Sequence, residues 1–410
     1  MSAVGRTRYR IFVSATSDGL TDHRPHGDGL IALSLVRELA SRGHEIHLAG
    51  TRIDVREPLP TNVHFHALQL RGSETFAERI LYAVAVRRLY DRLARVKAFD
   101  VVHQMNPVIA GLSLGFAFNA PPLVLGAYHE NWADRGSGVA RPPSLAMRFL
   151  IAGRAIVAAA QQVFAAAIVI ATSSARNRMP FAALLGGKIA VIPHGIDLDR
   201  FRPLERDAAA DDAEPAVLFL ANLVRRKGIF TLLEAFEIVA RRVPTARLVV
   251  AGRGDEESEV AASIARSPAR DRISLLGNVA RGDIAQVMRG AAVYCLPSFG
   301  EPFGMTAIEA MACGLPVVVT REGGLGEFVP DDAGGKVSSR DPAALAEAIV
   351  SLLQAGAGAR REIGARNRGY VERYISLPRV AEEWERVYER VVAERASAGA
   401  NSRKRVAASS

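Results

Sequence analysis

Short β-branched runs alternate with helical patterns from one end of this 410-residue chain to the other, and this alternation limits the possible folds. Such a pattern is typical of parallel sheets covered by helices. A first series of predicted strands comprises Arg10–Val13, Glu45–Leu48, Val63–His66, Val101–His103, Leu123–Leu125, Ile168–Ala171 and Ile189–Ile192. A second series comprises Val217–Leu220, Leu248–Ala251, Ile273–Leu276, Val293–Leu296, Val317–Thr320 and Lys336–Val337.

A charged, turn-rich segment at 192–215 separates the two series and predicts a domain linker. We therefore predict an α/β protein with two Rossmann-like domains, an N-terminal one at 1–190 and a C-terminal one at 191–376. We expect them to face each other across a cleft, where ligands of such folds bind. An amphipathic helix at 377–395 is expected to return to the N-terminal domain, and 396–410 to form a flexible basic tail.

The net charge is +9 and the pI about 9.9, which allows nucleic acid, an anionic membrane or phosphorylated small molecules as partners. No zinc-finger spacing, RNA-binding aromatic signature or basic heptad accompanies the charge, so nucleic acid is disfavoured. The N-terminus shows no secretion signal, and polar residues interrupt the apolar stretch 149–171, so we predict a helix and a strand there. With Cys295 and Cys313 expected as buried free thiols, a cytoplasmic location is expected.

The segment 300–316, G-E-P-F-G-M-T-A-I-E-A-M-A-C-G-L-P, places two acids in an otherwise apolar stretch. Glycine and proline bend the chain before a short helix, whose first N–H groups form a binding site for phosphate. Eight residues of helix span about 12 Å, too far for the paired carboxylates of a glycosidase. Glu301 and Glu309 could instead hold the two ends of an extended ligand by its hydroxyls, although a capping acid and a solvated acid fit the spacing equally well.

This segment resembles the E-x7-E motif of retaining glycosyltransferases with the GT-B fold, in glycosyltransferase family 4. The resemblance extends to N-L-V-R-R-K-G, V-I-P-H-G-I-D-L-D-R-F-R-P and G-G-L-G-E-F-V, and is strongest over 189–349. It implies that Glu309 holds the nucleotide ribose and Glu301 the donor sugar, while Lys227 neutralises the departing diphosphate. The donor-binding residues it implies are Asn222, Arg225, Lys227, Arg253, Asn278, Glu301, Phe303, Gly304, Met305 and Glu309.

One position departs from the family pattern, because Asn222 stands where the family has an arginine that contacts phosphate. Asparagine donates hydrogen bonds but supplies no charge. We expect Arg225 to supply the missing positive charge, with Arg226 as the alternative. In a third possibility, Lys227 and the helix end bind the leaving diphosphate without another arginine.

In the N-terminal half, the turn with Gly27 and Gly29 precedes a helix and is predicted to approach phosphate or acceptor. The resemblance places His129 beside the donor sugar as a catalytic residue together with Lys227 and Glu301, and His103 is the second choice. No D-x-D pair or dense His/Asp cluster is evident, so no metal and no cofactor are expected.

These features together predict a retaining glycosyltransferase that moves a hexosyl or N-acetylhexosaminyl group from a nucleotide sugar, UDP-linked in preference to GDP-linked, to a hydroxyl acceptor. A nucleotide-sugar-binding partner protein with little activity and a GT-B epimerase are the alternatives. The acceptor stays open between a glycan, a lipid-linked glycan and a natural product. The segment 76–97 could lie on an anionic bilayer or pack on the sheet, and 136–143 is predicted to be a mobile acceptor loop.

Overall fold

The computed structural model describes residues 7–15, 20–23, 27–70, 76–105, 111–118, 120–128, 145–176, 179, 182–204 and 214–409. These residues divide into two compact units. Unit 1 contains the described residues up to Tyr128, those from Leu145 to Gly195, and those from Leu377 onwards. Unit 2 contains the described residues from Ile196 to Ser376.

Unit 1 is built on a seven-stranded parallel sheet in the order β5-β3-β1-β6-β7-β8-β9. Its strands are β1 (Arg10–Ala15), β3 (Glu45–Gly50), β5 (Val63–Ala67), β6 (Val101–Met105), β7 (Leu123–Tyr128), β8 (Ala167–Ile170) and β9 (Ile189–Val191). Two short strands, β2 (Leu20–Thr21) and β4 (Ile53–Asp54), pair separately. The helices are α1 (Gly27–Ser41), α2 (Phe76–Ala94), α3 (Leu145–Phe164), α4 (Ser173–Arg176) and, at the end of the chain, α12 (Leu377–Ser409).

Unit 2 is built on a six-stranded parallel sheet in the order β12-β11-β10-β13-β14-β15. Its strands are β10 (Ala216–Leu220), β11 (Arg247–Ala251), β12 (Ile273–Gly277), β13 (Val293–Leu296), β14 (Val317–Thr320) and β15 (Gly334–Val337). Its helices are α5 (Ile229–Arg242), α6 (Glu257–Arg266), α7 (Ile284–Arg289), α8 (Met305–Ala312), α9 (Gly324–Phe328), α10 (Pro342–Gln354) and α11 (Gly356–Tyr374). The strand order reverses beside β10, and ligands of doubly wound folds bind at such a switch point.

The prediction of an α/β protein with two parallel-sheet domains is confirmed, and every predicted strand is present within three residues of its predicted ends. The strands are apolar runs because both faces of each sheet are covered by helices. Strand β13 illustrates this, since Val293, Tyr294, Cys295 and Leu296 are all fully buried. The apolar stretch 149–171 forms the end of α3 and then β8, as expected.

Helix α12 packs on unit 1 although it follows unit 2 in the chain. The Trp384 ring lies 4.5 Å from the His103 ring between centroids, and the Tyr388 hydroxyl lies 2.8 Å from His103 Nδ1. The segment predicted as a flexible basic tail at 396–410 continues α12 as far as Ser409. This part of the chain has no proline, and its alanines, arginines and lysine are good helix formers that propagate the helix.

Within the described residues, no helix by itself has the length and apolar character needed to cross a bilayer. Helices α10 and α11 reach that threshold only as a pair, and they meet at an angle of 109°.

Candidate functional site

The loops after β10, β13 and β14 are joined by hydrogen bonds at the carboxyl edge of the unit 2 sheet. The Phe299 N–H donates to the Arg226 carbonyl at 2.7 Å, so the loop after β13 is bonded to the loop after β10. The Gly324 N–H donates to the Glu301 carbonyl, also at 2.7 Å, which joins the turn after β14. These bonds fix the backbone of Glu301 on both sides.

Two glycines with left-handed backbones allow the loops to approach this closely. Gly228 has a φ of 77°, and a Cβ atom there would lie 2.0 Å from the Pro297 carbonyl oxygen. Gly304 has a φ of 85°, and a Cβ atom would lie 2.2 Å from Leu325 Cδ2. A side chain at either position would therefore separate the loops or displace the start of α8.

Glu301 is buried and ionised, and it is surrounded by donors. The Lys227 ammonium lies 2.6 Å from Glu301 Oε2, and the Ser298 hydroxyl donates to the same oxygen at 3.1 Å. Arg226 Nη1 lies 3.6 Å from it. Burial raises the carboxyl pKa, but Lys227 and Arg226 outweigh that effect, so the pKa of Glu301 lies below its ordinary value. The side chain is thus a fixed negative charge with cations on one side.

Glu309 lies on α8 with 1% of its surface exposed, and it has a cation of its own. Arg281 Nη1 donates to Glu309 Oε1 at 2.7 Å, while Glu309 Oε2 is buried and has no hydrogen-bond partner among the described residues. Burial raises the pKa of Glu309 above its ordinary value, although Arg281 opposes the effect. A buried carboxylate oxygen without a donor is costly, so this oxygen is suited to accept a hydrogen bond from a ligand hydroxyl.

Arg225 is directed at two acids and a phenylalanine ring of unit 2. Its guanidinium forms ion pairs with Glu259 and, at 3.4 Å, with Glu256, and it stacks on Phe230. Arg226 instead points toward Glu301, where its Nη1 is buried and makes no hydrogen bond to any residue that the structure describes. Of the two arginines considered as replacements for the charge missing at the exposed Asn222, Arg226 is therefore the one directed at Glu301.

The other predicted donor residues lie along the same edge of the sheet. Arg253 and Asn278 are exposed, and they follow β11 and β12 in loops joined by a hydrogen bond from the Gly252 N–H to the Gly277 carbonyl. Phe303 is buried against Phe328, with ring centroids 5.0 Å apart. Met305 begins α8 immediately after Gly304.

Sequence reasoning did not identify Arg281 or Ser298 as site residues. Arg281 lies in a polar turn between β12 and α7, and its distance in sequence from Glu309 fits no motif that would have predicted their contact. Ser298 could have been suspected, because it closely follows a buried strand and lies three residues before a predicted site acid. Only the folded backbone brings Arg281 to α8.

In unit 1, Gly27 and Gly29 lie in the first turn of α1, next to Asp28. A Cβ atom at Gly27 would meet nothing within 4 Å, so no close approach requires this glycine. His129 and the predicted acceptor loop 136–143 lie outside the described residues. His103 is fully buried and bonded on both ring nitrogens, which makes its role structural.

The strand pairing of unit 1 assembles a cluster that the sequence analysis did not expect. Ligand atoms of Glu45, His47 and His64 lie within 4.8 Å of one another, because β3 and β5 are neighbours. Lys97 and Arg10 already occupy the Glu45 carboxylate, at 2.6 Å and 2.8 Å. These two cations oppose the binding of a metal ion at the cluster.

Comparisons with known proteins agree with this architecture. Residues 27–200 match the family model described as Glycosyltransferase Family 4, and residues 201–369 match Glycosyl transferases group 1. A phosphatidyl-myo-inositol mannosyltransferase of Mycobacterium leprae is 31% identical over 90% of this chain and 94% of its own. A D-inositol 3-phosphate glycosyltransferase of Xylanimonas cellulosilytica is 35% identical, and the match spans only about half of each chain, 50% of this one and 54% of that one.

Solved structures share the fold at low sequence identity. A sucrose-phosphate synthase of Thermosynechococcus elongatus superposes with a TM-score of 0.74 and 21% identity, over 94% of this chain and 100% of that one. Anabaena Alr3699/HepE in complex with UDP gives a TM-score of 0.69 and 16% identity, over 95% and 100%. Two parallel-sheet units that carry these motifs define a glycosyltransferase of the GT-B fold. The chain belongs to glycosyltransferase family 4.

Proposed function

We propose that this glycosyltransferase transfers a hexosyl or N-acetylhexosaminyl group from a nucleotide sugar to a hydroxyl acceptor with retention of configuration. The observation that carries the proposal is the pair of buried acids on one loop-helix segment. Glu301 is paired with Lys227 and Glu309 with Arg281, while Glu309 Oε2 has no donor among the described residues. Both acids therefore lie beside a cation, and Glu309 keeps an oxygen that can accept a hydroxyl.

The donor is proposed to lie along the carboxyl edge of the unit 2 sheet. Its ribose hydroxyl donates to Glu309 Oε2, and its base lies near Arg253 and Asn278. Its diphosphate lies at the amino end of α8, where Phe303, Gly304 and Met305 supply backbone and the helix dipole favours an anion. Arg226 and Lys227 supply the positive charge, and Glu301 binds the hydroxyls of the sugar.

The transfer step requires little covalent participation from the protein. The bond between the anomeric carbon and the diphosphate oxygen breaks, and the acceptor oxygen bonds to that carbon on the same face. The departing phosphate oxygen takes the acceptor proton. Lys227 stabilises the negative charge that develops on the diphosphate, and the ion pair with Glu301 holds its ammonium in place.

The acceptor is proposed to be a hydroxyl of an inositol-containing lipid, since the relative that spans most of this chain is named a phosphatidyl-myo-inositol mannosyltransferase. Helix α2 supports contact with a membrane. Its inner face buries Tyr82 and Val86, whereas Ile80 and Leu81 are half exposed beside the exposed Arg88. An apolar strip with adjacent arginine suits an anionic bilayer surface.

A donor and acceptor screen tests the reaction. UDP-glucose, UDP-N-acetylglucosamine and GDP-mannose are incubated with phosphatidylinositol vesicles or soluble inositol phosphate, and products are identified by mass spectrometry. A glycosylated product of one pair supports transfer, and UDP-linked donors are predicted to be preferred over GDP-linked ones. Tight nucleotide binding with no product from any pair would favour a binding protein instead.

Glu309→Gln tests the donor site directly. The substitution should weaken the binding of UDP or GDP about tenfold or more, because the ribose loses a charged acceptor worth about 1.5–3 kcal/mol. Isothermal titration calorimetry measures the affinity. Glu347→Gln is the matched control, since Glu347 is an exposed acid on α10, and it should bind nucleotide like the unaltered chain. Unchanged affinity in the Glu309 variant would refute the proposed donor site.

A further inference from the structure

A cavity of about 710 Å³ lies at the amino edge of the unit 2 sheet, away from the carboxyl ends of its strands. Ala291 and Ala292, just before β13, and Pro316, just before β14, form part of its wall. Cys313 at the end of α8 and one side of α11 complete it. Glu301 follows the other end of β13, and a strand of this length spans about 13 Å.

The wall of this cavity is strongly basic. Among the described residues, four arginines contribute to it together with one acid, Glu372; the arginines are Arg289, Arg360, Arg361 and Arg368. The last turns of α7 and α8 add partial negative charge of about half an electron each. The guanidinium charge exceeds the sum of these negative charges, so an anion in the cavity is attracted.

Two of the arginines donate hydrogen bonds to main-chain carbonyls at the ends of helices. Arg360 Nη1 donates to the Leu353 carbonyl at 3.0 Å, at the end of α10. Arg368 Nη1 donates to the Ala312 carbonyl at 2.9 Å, at the end of α8, and its Nε pairs with Glu372. These contacts explain why both side chains are held there, and they make both residues unsuitable for mutation.

Arg289 has no such explanation. Its Nε is buried and has no hydrogen-bond partner among the described residues. An unsatisfied buried donor is destabilising, and in native structures it often marks a bound ion or water. Arg361 lies on the same cavity wall and is exposed, so it is accessible to a ligand that enters from solvent.

We propose that this cavity is a second anion-binding site, in which Arg289 and Arg361 bind the phosphoryl oxygens of a phosphorylated small molecule. Guanidinium groups match phosphate geometry and form strong charge-assisted hydrogen bonds. The volume lies within the range of small-molecule sites. The site differs from the proposed donor site in its position and in its residues, and Glu372, the acid that the described part of its wall contributes, is paired with Arg368.

Titration calorimetry of the full chain with pyrophosphate tests the proposal, with UDP present at saturation to fill the donor site. Arg289→Gln and Arg361→Gln are each expected to weaken pyrophosphate binding about tenfold, and the double variant about a hundredfold. Arg366→Gln is the matched control, because Arg366 lies on the same helix but pairs with Asp332 at 3.2 Å and is not part of the cavity wall. It should bind pyrophosphate like the unaltered chain.

The melting temperature of each variant without ligand checks the fold. If Arg289→Gln is unstable, the test uses Arg361→Gln and Arg361→Lys instead. The lysine variant retains the positive charge and should recover most of the affinity for pyrophosphate. Absence of pyrophosphate binding with UDP bound, or equal weakening by Arg366→Gln, would overturn the proposal. UDP binding should be unchanged in all variants, which separates this site from the donor site.

Discussion

Lys227 and Arg226 lie on the same side of Glu301, whereas the neighbouring Arg225 points at two acids of another loop and helix. Three successive basic residues therefore have different partners, and their spacing in the sequence does not predict which partner each one contacts. The short helical turn that they form, with Gly228 after it, directs each side chain differently. The chemistry of the site depends on this local geometry.

Lys227→Ala should lower kcat by about a hundredfold or more, because a charge that stabilises the leaving group is lost and Glu301 stays buried without its closest cation. Arg226→Ala should lower kcat/KM about tenfold. Arg225→Ala is the control and should change either constant less than threefold, since Arg225 is itself exposed and pairs with the exposed Glu259 and the half-buried Glu256. Steady-state kinetics with the donor found in the screen measures all three, and an Arg225 effect as large as that of Arg226 would contradict the assignment.

The sequence was sufficient to select Glu301, Glu309 and Lys227, since they fall in a recognisable motif and in a glycine-rich turn before a helix. It could not select Arg281, because the contact with Glu309 joins positions 28 residues apart in sequence through tertiary packing. It also could not show that Arg226 rather than Arg225 is directed at Glu301, because a basic run gives no information about side-chain direction.

Helix α8 depends on the backbone conformation at its start. Gly304→Ala should destabilise unit 2 by about 1–3 kcal/mol and weaken nucleotide binding, because alanine disfavours the φ of 85° and its Cβ would overlap Leu325. Urea unfolding followed by circular dichroism measures the loss. Gly282→Ala is the control, as a Cβ atom there meets nothing within 4 Å. Equal stability of the two variants would contradict this explanation.

Helix α12 is attached to the sheet of unit 1 through a neutral histidine. His103 Nε2 lies 3.0 Å from the Gly126 carbonyl, so this nitrogen carries the proton, and Nδ1 accepts from the Tyr388 hydroxyl. Burial lowers the pKa of His103 from 6.5 to about 4, although the hydrogen bond to Gly126 opposes the effect. The folded state therefore excludes a proton that the unfolded chain binds.

Because the pKa of His103 is lower in the folded state, its full contribution to stability is present above pH 6.5 and is lost as the pH falls toward 4. The loss should reach about 3 kcal/mol at most. Urea midpoints of unit 1 measured between pH 7 and pH 4 test this. A His103→Asn variant should show a shallower decline over that interval, and an identical decline would assign the acid sensitivity to other groups.

At the level of elements, the strands could be predicted because buried parallel strands are short apolar runs. The paired strands β2 and β4 were missed, as two residues give no periodicity. The length of α12 was underestimated because its last part has no apolar stripe to detect, and helix propensity alone continues it.

The whole molecule consists of two units, one of which is assembled from distant parts of the chain. A chain that ends at Ser376 should lose the stability of unit 1, because Trp384, Tyr388 and Val391 are all buried in it. Each such loss costs about 2–5 kcal/mol, against a total of about 5–15 kcal/mol for a domain. Unit 2 should keep its melting transition in differential scanning calorimetry.

A chain that ends at Ala400 is the matched control for that truncation and should retain both transitions. A shortened chain without α12 in which unit 1 still melts cooperatively at its original temperature would show that the helix is dispensable.

The placement of α12 also sets an order of events during synthesis. Ribosomes release the amino-terminal residues of this chain first, yet those residues cannot complete their core until 377–391 have emerged. All strands of unit 2, which is synthesised after the first part of unit 1, have left the ribosome before residues 377–391 emerge. We therefore expect the nascent protein to complete unit 2 before unit 1, and the amino-terminal sheet to be prone to aggregation until residues 377–391 have emerged.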